Sequence, residues 1–228
     1  MDVTVYPTQD DVAAALADLI ADDVASGATT IGLAGGGTPT AAYRLLPHRD
    51  LDWSHVTLWL GDERWVPVED AASNTGMAKT TFADAVGASI IVPRTDLDHP
   101  AAAAAAYEAE LFAALDGVAP GLVLLGMGDD GHTASLFPKT DALELTRTGY
   151  VANWIPEQDT WRLTATMPLL WSAQRLVFVV TGGSKAAMLA KILDRKREYP
   201  AQRVAAGASH VSWLLDEAAA SELTSVPR

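Results

Sequence analysis

Short, almost wholly apolar runs punctuate the chain at 29–34, 56–60, 89–92, 122–125, 176–181 and 210–215. Each is too short for a buried helix and rich in β-branched or aromatic residues, so each reads as a strand. Between them, 9–25, 39–46, 74–85, 100–115 and 184–193 carry apolar residues three and four positions apart, the spacing of one helical face. Alternation of this kind predicts an α/β fold with a largely parallel sheet. The alanine run 101–106 belongs to the same amphipathic pattern as Tyr107, Leu111 and Phe112 and is expected to be helical. No Pro/Gly/Ser-rich linker divides the 228 residues, which are expected to form a single domain over 1–228, with the polar stretch 194–208 as a surface excursion.

Charge narrows the list of ligands. Sixteen Lys and Arg stand against 29 Asp and Glu, a formal net charge of −13, which argues against nucleic acid or an anionic membrane as partner. An anionic ligand has to meet a local cluster of cations. The chain has no cysteine, which excludes disulfides, thiolate nucleophiles and zinc–thiolate sites and fits a reducing compartment. No segment approaches the ~18–20 uncharged apolar residues of a bilayer span, and residues 1–7 lack a basic region leading into an apolar one. The expected location is cytoplasmic.

Ligands of open α/β sheets gather where loops leave the carboxyl ends of strands, and three such exits are chemically unusual. At the first, Gly35-Gly36-Gly37-Thr38-Pro39 reads as a turn entering a helix, with Thr38 as cap and Pro39 at the first helical position. The amides of Gly36, Gly37 and Thr38 can form an anion nest there, or the segment is a plain capped glycine turn. Thr38 stands where a phosphate-binding P-loop has lysine, which disfavours a nucleoside triphosphate. At the second exit, Asp62-Glu63-Arg64 precedes Ser73-Asn74 at a helix start. Arg64 is a fork for phosphate or carboxylate, and the acids can orient it or hold sugar hydroxyls; the competing reading is a surface ion-pair cluster.

The third exit runs from Gly126 to Lys139. Gly126, Gly128 and Gly131 satisfy the spacing of the dinucleotide fingerprint, but Asp129 and Asp130 would lie against a pyrophosphate and Pro138 leaves no room for the required helix. Asp129, Asp130 and His132 without a second histidine also make a poor zinc site. What remains is an imidazole, able to shuttle a proton near neutrality, two residues after Asp130, a carboxylate able to fix its tautomer. Arg162 and Lys185 are candidates to complete an anion pocket. No G-x-S-x-G elbow supports a serine esterase.

With those stretches in order, from Gly35 to Pro39, through Gly61-Asp62-Glu63-Arg64-Trp65-Val66-Pro67 and Ser73-Asn74, Gly126 to Pro138, Arg162-Leu163-Thr164, and on to Thr181-Gly182 and Lys185, the chain resembles the 6-phosphogluconolactonases, relatives of the glucosamine-6-phosphate deaminases. The deaminase branch carries Asp-Glu-Tyr at Asp62-Glu63-Arg64 and Phe-Asn-Glu-Pro at Ser135-Leu136-Phe137-Pro138, so both departures point to the lactonase branch. Gly37 replaces the family's usual serine. The resemblance implies a three-layer α/β/α, Rossmann-like domain of the glucosamine-6-phosphate deaminase type. It implies hydrolysis of a small phosphosugar lactone, 6-phospho-D-glucono-1,5-lactone, without a cofactor or a metal. His132 would be general base, with Asp130 fixing its ring. Arg64, Arg162 and Lys185, with the amides of Gly36, Gly37 and Thr38, would hold the phosphate or the developing oxyanion, and Asp62 and Gly131 would complete the substrate site. The chain is expected to be a monomer or a weak homo-oligomer. Two other readings stay open: a deaminase or isomerase acting on a hexosamine phosphate, and a non-catalytic sugar-phosphate sensor.

Overall fold

The computed structural model describes residues 1–193 and 199–224. Its strands are β1 (Asp2–Tyr6), β2 (Thr30–Leu33), β3 (Thr57–Leu60), β4 (Asp62–Arg64), β5 (Ser89–Ile90), β6 (Leu122–Leu125), β7 (Tyr150–Ile155), β8 (Thr160–Ala165), β9 (Arg175–Val180) and β10 (Val211–Asp216). The helices are α1 (Gln9–Ala25), α2 (Gly37–Tyr43), α3 (Asn74–Ala78), α4 (Asp84–Val86), α5 (Pro100–Leu115), α6 (Met167–Ser172), α7 (Ala186–Leu193), α8 (Pro200–Gly207) and α9 (Glu217–Ala220). A π turn, Lys79–Ala83, joins α3 to α4.

Seven strands form one sheet in the order β1-β10-β9-β6-β2-β3-β5, and every pairing in it is parallel. The continuous apolar runs follow from burial on both faces. On β6, Leu122 and Leu124 face one core while Val123 and Leu125 face the other; Val177 and Val179 of β9 oppose Leu176, Phe178 and Val180 in the same way. One core is closed by α1, α2 and the α3–α4 unit through Leu16, Ile20, Tyr43 and Phe82, the other by α5, α6, α7 and α8 through Tyr107, Leu170, Leu189 and Val204. The result is the expected three-layer α/β/α arrangement. Local signals agree with it: Thr8 caps α1, its hydroxyl accepting from Asp11 N at 3.2 Å, and Pro100 opens α5.

From β2 the chain winds outward through β3 to β5, then crosses to the other side of β2 and continues through β6, β9 and β10. The reversal lies between β2 and β6, so loops leaving their carboxyl ends diverge and open a crevice.

Three features differ from the expectation. The amino-terminal segment is an edge strand, β1, paired with β10; its alternation of Val3 and Val5 with polar neighbours is half exposed, as an edge permits. A second, antiparallel sheet, β4-β8-β7, hangs from the end of β3, tied on by Ala165 N donating to Gly61 O at 2.9 Å. Of the expected 194–208 excursion, 194–198 lie outside the described residues, and the remainder is largely α8, with Pro200, Ala201, Gln202 and Val204 buried. That part is core rather than excursion.

Candidate active site

The crevice at the switch point is a cavity of about 390 Å³. The ends of β2 (Ala34, Gly35, Gly36), β3 (Gly61, Asp62), β6 (Gly126 to Gly128, His132) and the turn after β9 (Lys185) line it, and the small sheet closes its side with Arg64, Gln158 and Arg162.

The loop after β6 is built to present His132. Gly131 N donates to Gly128 O at 3.0 Å, and Gly128 N to His132 O at 2.9 Å, which folds the loop back on itself. The imidazole then lies over Gly128, where any Cβ would overlap it. Asp130 Oδ1 accepts from His132 N at 3.1 Å and lies 2.5 Å from His132 Nδ1. A carboxylate can only accept, so in the neutral ring the proton sits on Nδ1 and the lone pair on Nε2. Phe137 stacks on the ring, centroids 3.9 Å apart. The loop is anchored below by Thr133 Oγ1 to Gly126 O at 2.8 Å, by Ser135 N to Thr164 Oγ1 at 3.2 Å, and by Ala201 N of α8 to Gly131 O at 3.0 Å.

Among the described residues three cations reach the cavity, with different partners. Arg64 and Arg162 are directly opposite in the β4–β8 register, which sets two like charges side by side. Among the described residues their partners are neutral: Arg64 Nη1 donates to Ala72 O at 2.5 Å, Arg162 Nη2 to Gln158 Oε1 at 2.6 Å, and the Nε of each is buried without a partner. Burial, and then the Arg64 charge, lower the pKa of Arg162. An anion placed between the two would relieve both penalties. Lys185 instead holds a carboxylate, Asp129 Oδ1, at 2.6 Å.

The acids divide. Asp62 faces the cavity, its Oδ2 accepting from Ser135 Oγ at 2.6 Å. Glu63, expected to orient an arginine or hold sugar hydroxyls, is turned inward and buried, and its two oxygens accept from Arg64 N, Asn74 N, Thr75 N and Ser73 Oγ at 2.6–3.1 Å. It seats the start of α3 and touches no ligand space.

At the first exit the helix begins two residues earlier than expected. Gly36, with φ +113°, is the N-cap, and no side chain caps α2; that φ is open to glycine and strained for other residues. Thr38 is therefore not the cap: its hydroxyl lies 2.7 Å from Thr181 Oγ1 and ties the turns after β2 and β9 together. Of the expected site residues, Gly36, Asp62, Arg64, His132, Arg162 and Lys185 line the cavity, whereas Gly37, Thr38, Asp130 and Gly131 do not. Asn74, Ser135, Phe137 and Gln158 also line it. The first three lie in motifs already singled out; Gln158 has no local signal, because only the β7–β8 turn brings it to Arg162. Among the described residues no three His, Asp or Glu side chains are grouped as a metal site, and no helix is long and apolar enough to cross a membrane.

A doubly wound parallel sheet whose switch point gathers three cations and a carboxylate-held histidine defines an α/β protein equipped to take up and act on a small anion. The chain belongs to the glucosamine-6-phosphate isomerase/6-phosphogluconolactonase family, whose model matches residues 7–213. A 6-phosphogluconolactonase of Nostoc sp. is 37% identical over 240 residues, covering 97% of this chain and 98% of its own. Among solved structures, the 6-phosphogluconolactonase of Leishmania guyanensis superposes with a TM-score of 0.87 at 25% identity, over 98% of this chain and 99% of that one. A monomeric glucosamine-6-phosphate deaminase does so with a TM-score of 0.85 at 25% identity, over 97% and 100%. The fold is shared by both activities, so the choice between them falls to the site.

Proposed function

We propose that this chain is a 6-phosphogluconolactonase, hydrolysing 6-phospho-D-glucono-1,5-lactone to 6-phosphogluconate in the oxidative pentose phosphate pathway. The observation that carries the reading is the environment of His132: a carboxylate on Nδ1, a free Nε2 at the cavity, and Phe137 stacked on the ring. Phe137 occupies the place of the deaminase branch's glutamate. A ring covered by a phenyl group and held at one nitrogen is equipped to move one proton on and off Nε2. Opening a hexosamine ring calls for a further acid–base group at that place, and lactone hydrolysis does not.

Nε2 takes a proton from a water as its oxygen attacks the lactone carbonyl carbon, and the imidazolium that forms is stabilised by Asp130. The carbonyl electrons move onto oxygen, and a cation or backbone N–H at the cavity wall stabilises the oxyanion. When the intermediate collapses, the bond to the ring oxygen breaks, and Nε2 returns the proton to that oxygen as it becomes the C5 hydroxyl. The remaining cations take the phosphate, and Asp62 accepts from sugar hydroxyls. Every proton is returned, and no cofactor enters the sequence.

The test follows freshly generated lactone above its spontaneous decay, with a chelator present, for the wild-type protein and His132→Ala. Wild-type acceleration that falls to background in the variant is the expected result. An unimpaired variant would remove His132 from the mechanism, and a wild-type protein that converts glucosamine 6-phosphate but leaves the lactone alone would replace the reading by the deaminase one.

A further inference from the structure

Lys185 differs from the other cations of the cavity in already holding an anion. Arg64 and Arg162 are met by a backbone carbonyl and an amide oxygen, while Lys185 Nζ lies 2.6 Å from Asp129 Oδ1. The Lys185 side chain is 25% exposed and that of Asp129 75%, so the lysine is fixed in the wall and the aspartate is free to swing into solvent. Asp129 has no other hydrogen-bond partner among the described residues, whereas the adjacent Asp130 is committed to His132 through two bonds. Two neighbouring acids thus do different things: one orients the imidazole, the other occupies a substrate cation. Resting on the phosphosugar reading above, we propose that Asp129 is a built-in competitor of the substrate's anionic group, a self-supplied counterion that must leave Lys185 before that group can bind there.

This sets affinity. Half-exposed Lys–Asp pairs are weak, so a phosphate dianion with several oxygens displaces the carboxylate, while a singly charged anion gains little over the contact it breaks. The opposite physical role is also definite: Asp129 could hold Lys185 in a productive rotamer, in which case its removal would weaken binding. The two roles predict opposite signs.

The experiment titrates inorganic phosphate, acetate and 6-phosphogluconate calorimetrically into wild-type protein, Asp129→Asn, Lys185→Ala and the double variant, with lactone turnover measured in parallel. Asp129→Asn is expected to tighten 6-phosphogluconate and phosphate about two- to fivefold, the factor that corresponds to an exposed ion pair, and to lower KM. It should raise acetate affinity by no larger a factor, because removing an internal competitor favours every ligand of Lys185 alike, and every gain should vanish in the Lys185→Ala background. Unchanged or weakened binding in Asp129→Asn, or a gain that persists without Lys185, overturns the proposal, as does a wild-type protein that binds neither phosphate nor 6-phosphogluconate. The lactonase reading is judged separately. Turnover without an Asp129 effect leaves that reading standing and this one refuted, and an Asp129 effect on phosphate without lactone turnover does the reverse.

Discussion

The 2.5 Å contact between Asp130 Oδ1 and His132 Nδ1 engages one ring nitrogen and leaves Nε2 for the base role proposed above. Replacing Asp130 by Asn leaves shape intact but offers an amide that can donate to Nδ1, and a ring that accepts there carries its proton on Nε2, where no base remains. Asp130→Asn is therefore expected to lower kcat about a hundredfold or more, within the ~10²–10⁴ range that general acid–base groups contribute, with KM little changed; a wild-type kcat would show that the carboxylate does not set the tautomer. Arg162 gives a pH prediction. Burial and the Arg64 charge both disfavour its charged form and so push its pKa down, but a guanidinium begins so high that it stays cationic. A lysine begins near ~10.4 and would be pushed the same way, so in Arg162→Lys the positive charge, and with it 6-phosphogluconate affinity, should fall as pH rises between about 8 and 10. The wild-type affinity should stay flat over that interval, and parallel curves would sink the argument. His132, Asp130, Arg64 and Lys185 are legible from sequence because each stands beside a glycine turn at a strand exit. Gln158 is not, since only the β7–β8 turn brings it to Arg162, and neither is the Asp129–Lys185 pair, whose side chains meet from segments far apart in the chain.

At the scale of elements, Glu63 links the sheet to the site without touching the cavity. Its carboxylate collects the first amides of α3 and the amide of Arg64, so the direction of the helix and the direction of the arginine strand are set by one buried charge. Glu63→Gln keeps the volume but turns one acceptor into a donor facing other donors, and it should cost about 3 kcal/mol for the charged bonds lost and donors stranded. That corresponds to roughly 6–12 °C in Tm for a chain of this size, read by calorimetry; a shift under a degree would mean the carboxylate is dispensable. The tripeptide Asp62-Glu63-Arg64 shows why the small sheet escaped the hydropathy pattern. A three-residue antiparallel strand needs one inward side chain, and here that side chain is a glutamate rather than an apolar residue. The central parallel strands were legible for the opposite reason: β6 and β9, buried on both faces, carry continuous apolar runs. β1 has the alternation of a strand, but at five residues with its outward positions exposed it reads no differently from a loop until β10 is beside it.

For the whole molecule, the charges of the surface and of the cavity oppose each other. The net charge of −13 repels a phosphorylated sugar at long range, while Arg64, Arg162 and Lys185 attract it over the last few ångströms. Salt separates the two because screening depends on distance: the Debye length is ~30 Å at 0.01 M and ~10 Å at 0.1 M. Raising the ionic strength across that interval removes the repulsion of distant carboxylates, whereas contacts within a partly buried cleft are screened much less. At low substrate, kcat/KM is therefore expected to rise at least about twofold from 10 to 100 mM sodium chloride, then to fall towards 1 M, where the ~3 Å Debye length reaches the cavity itself. A rate that declines steadily from the lowest salt would show that the cavity cations dominate the approach at every distance. Neutralising several exposed carboxylates in the segments that lead into the amino ends of β2, β3 and β6, such as Asp22, Asp50 and Asp116, should flatten the rising limb and leave the falling one in place, because only the long-range component has been changed.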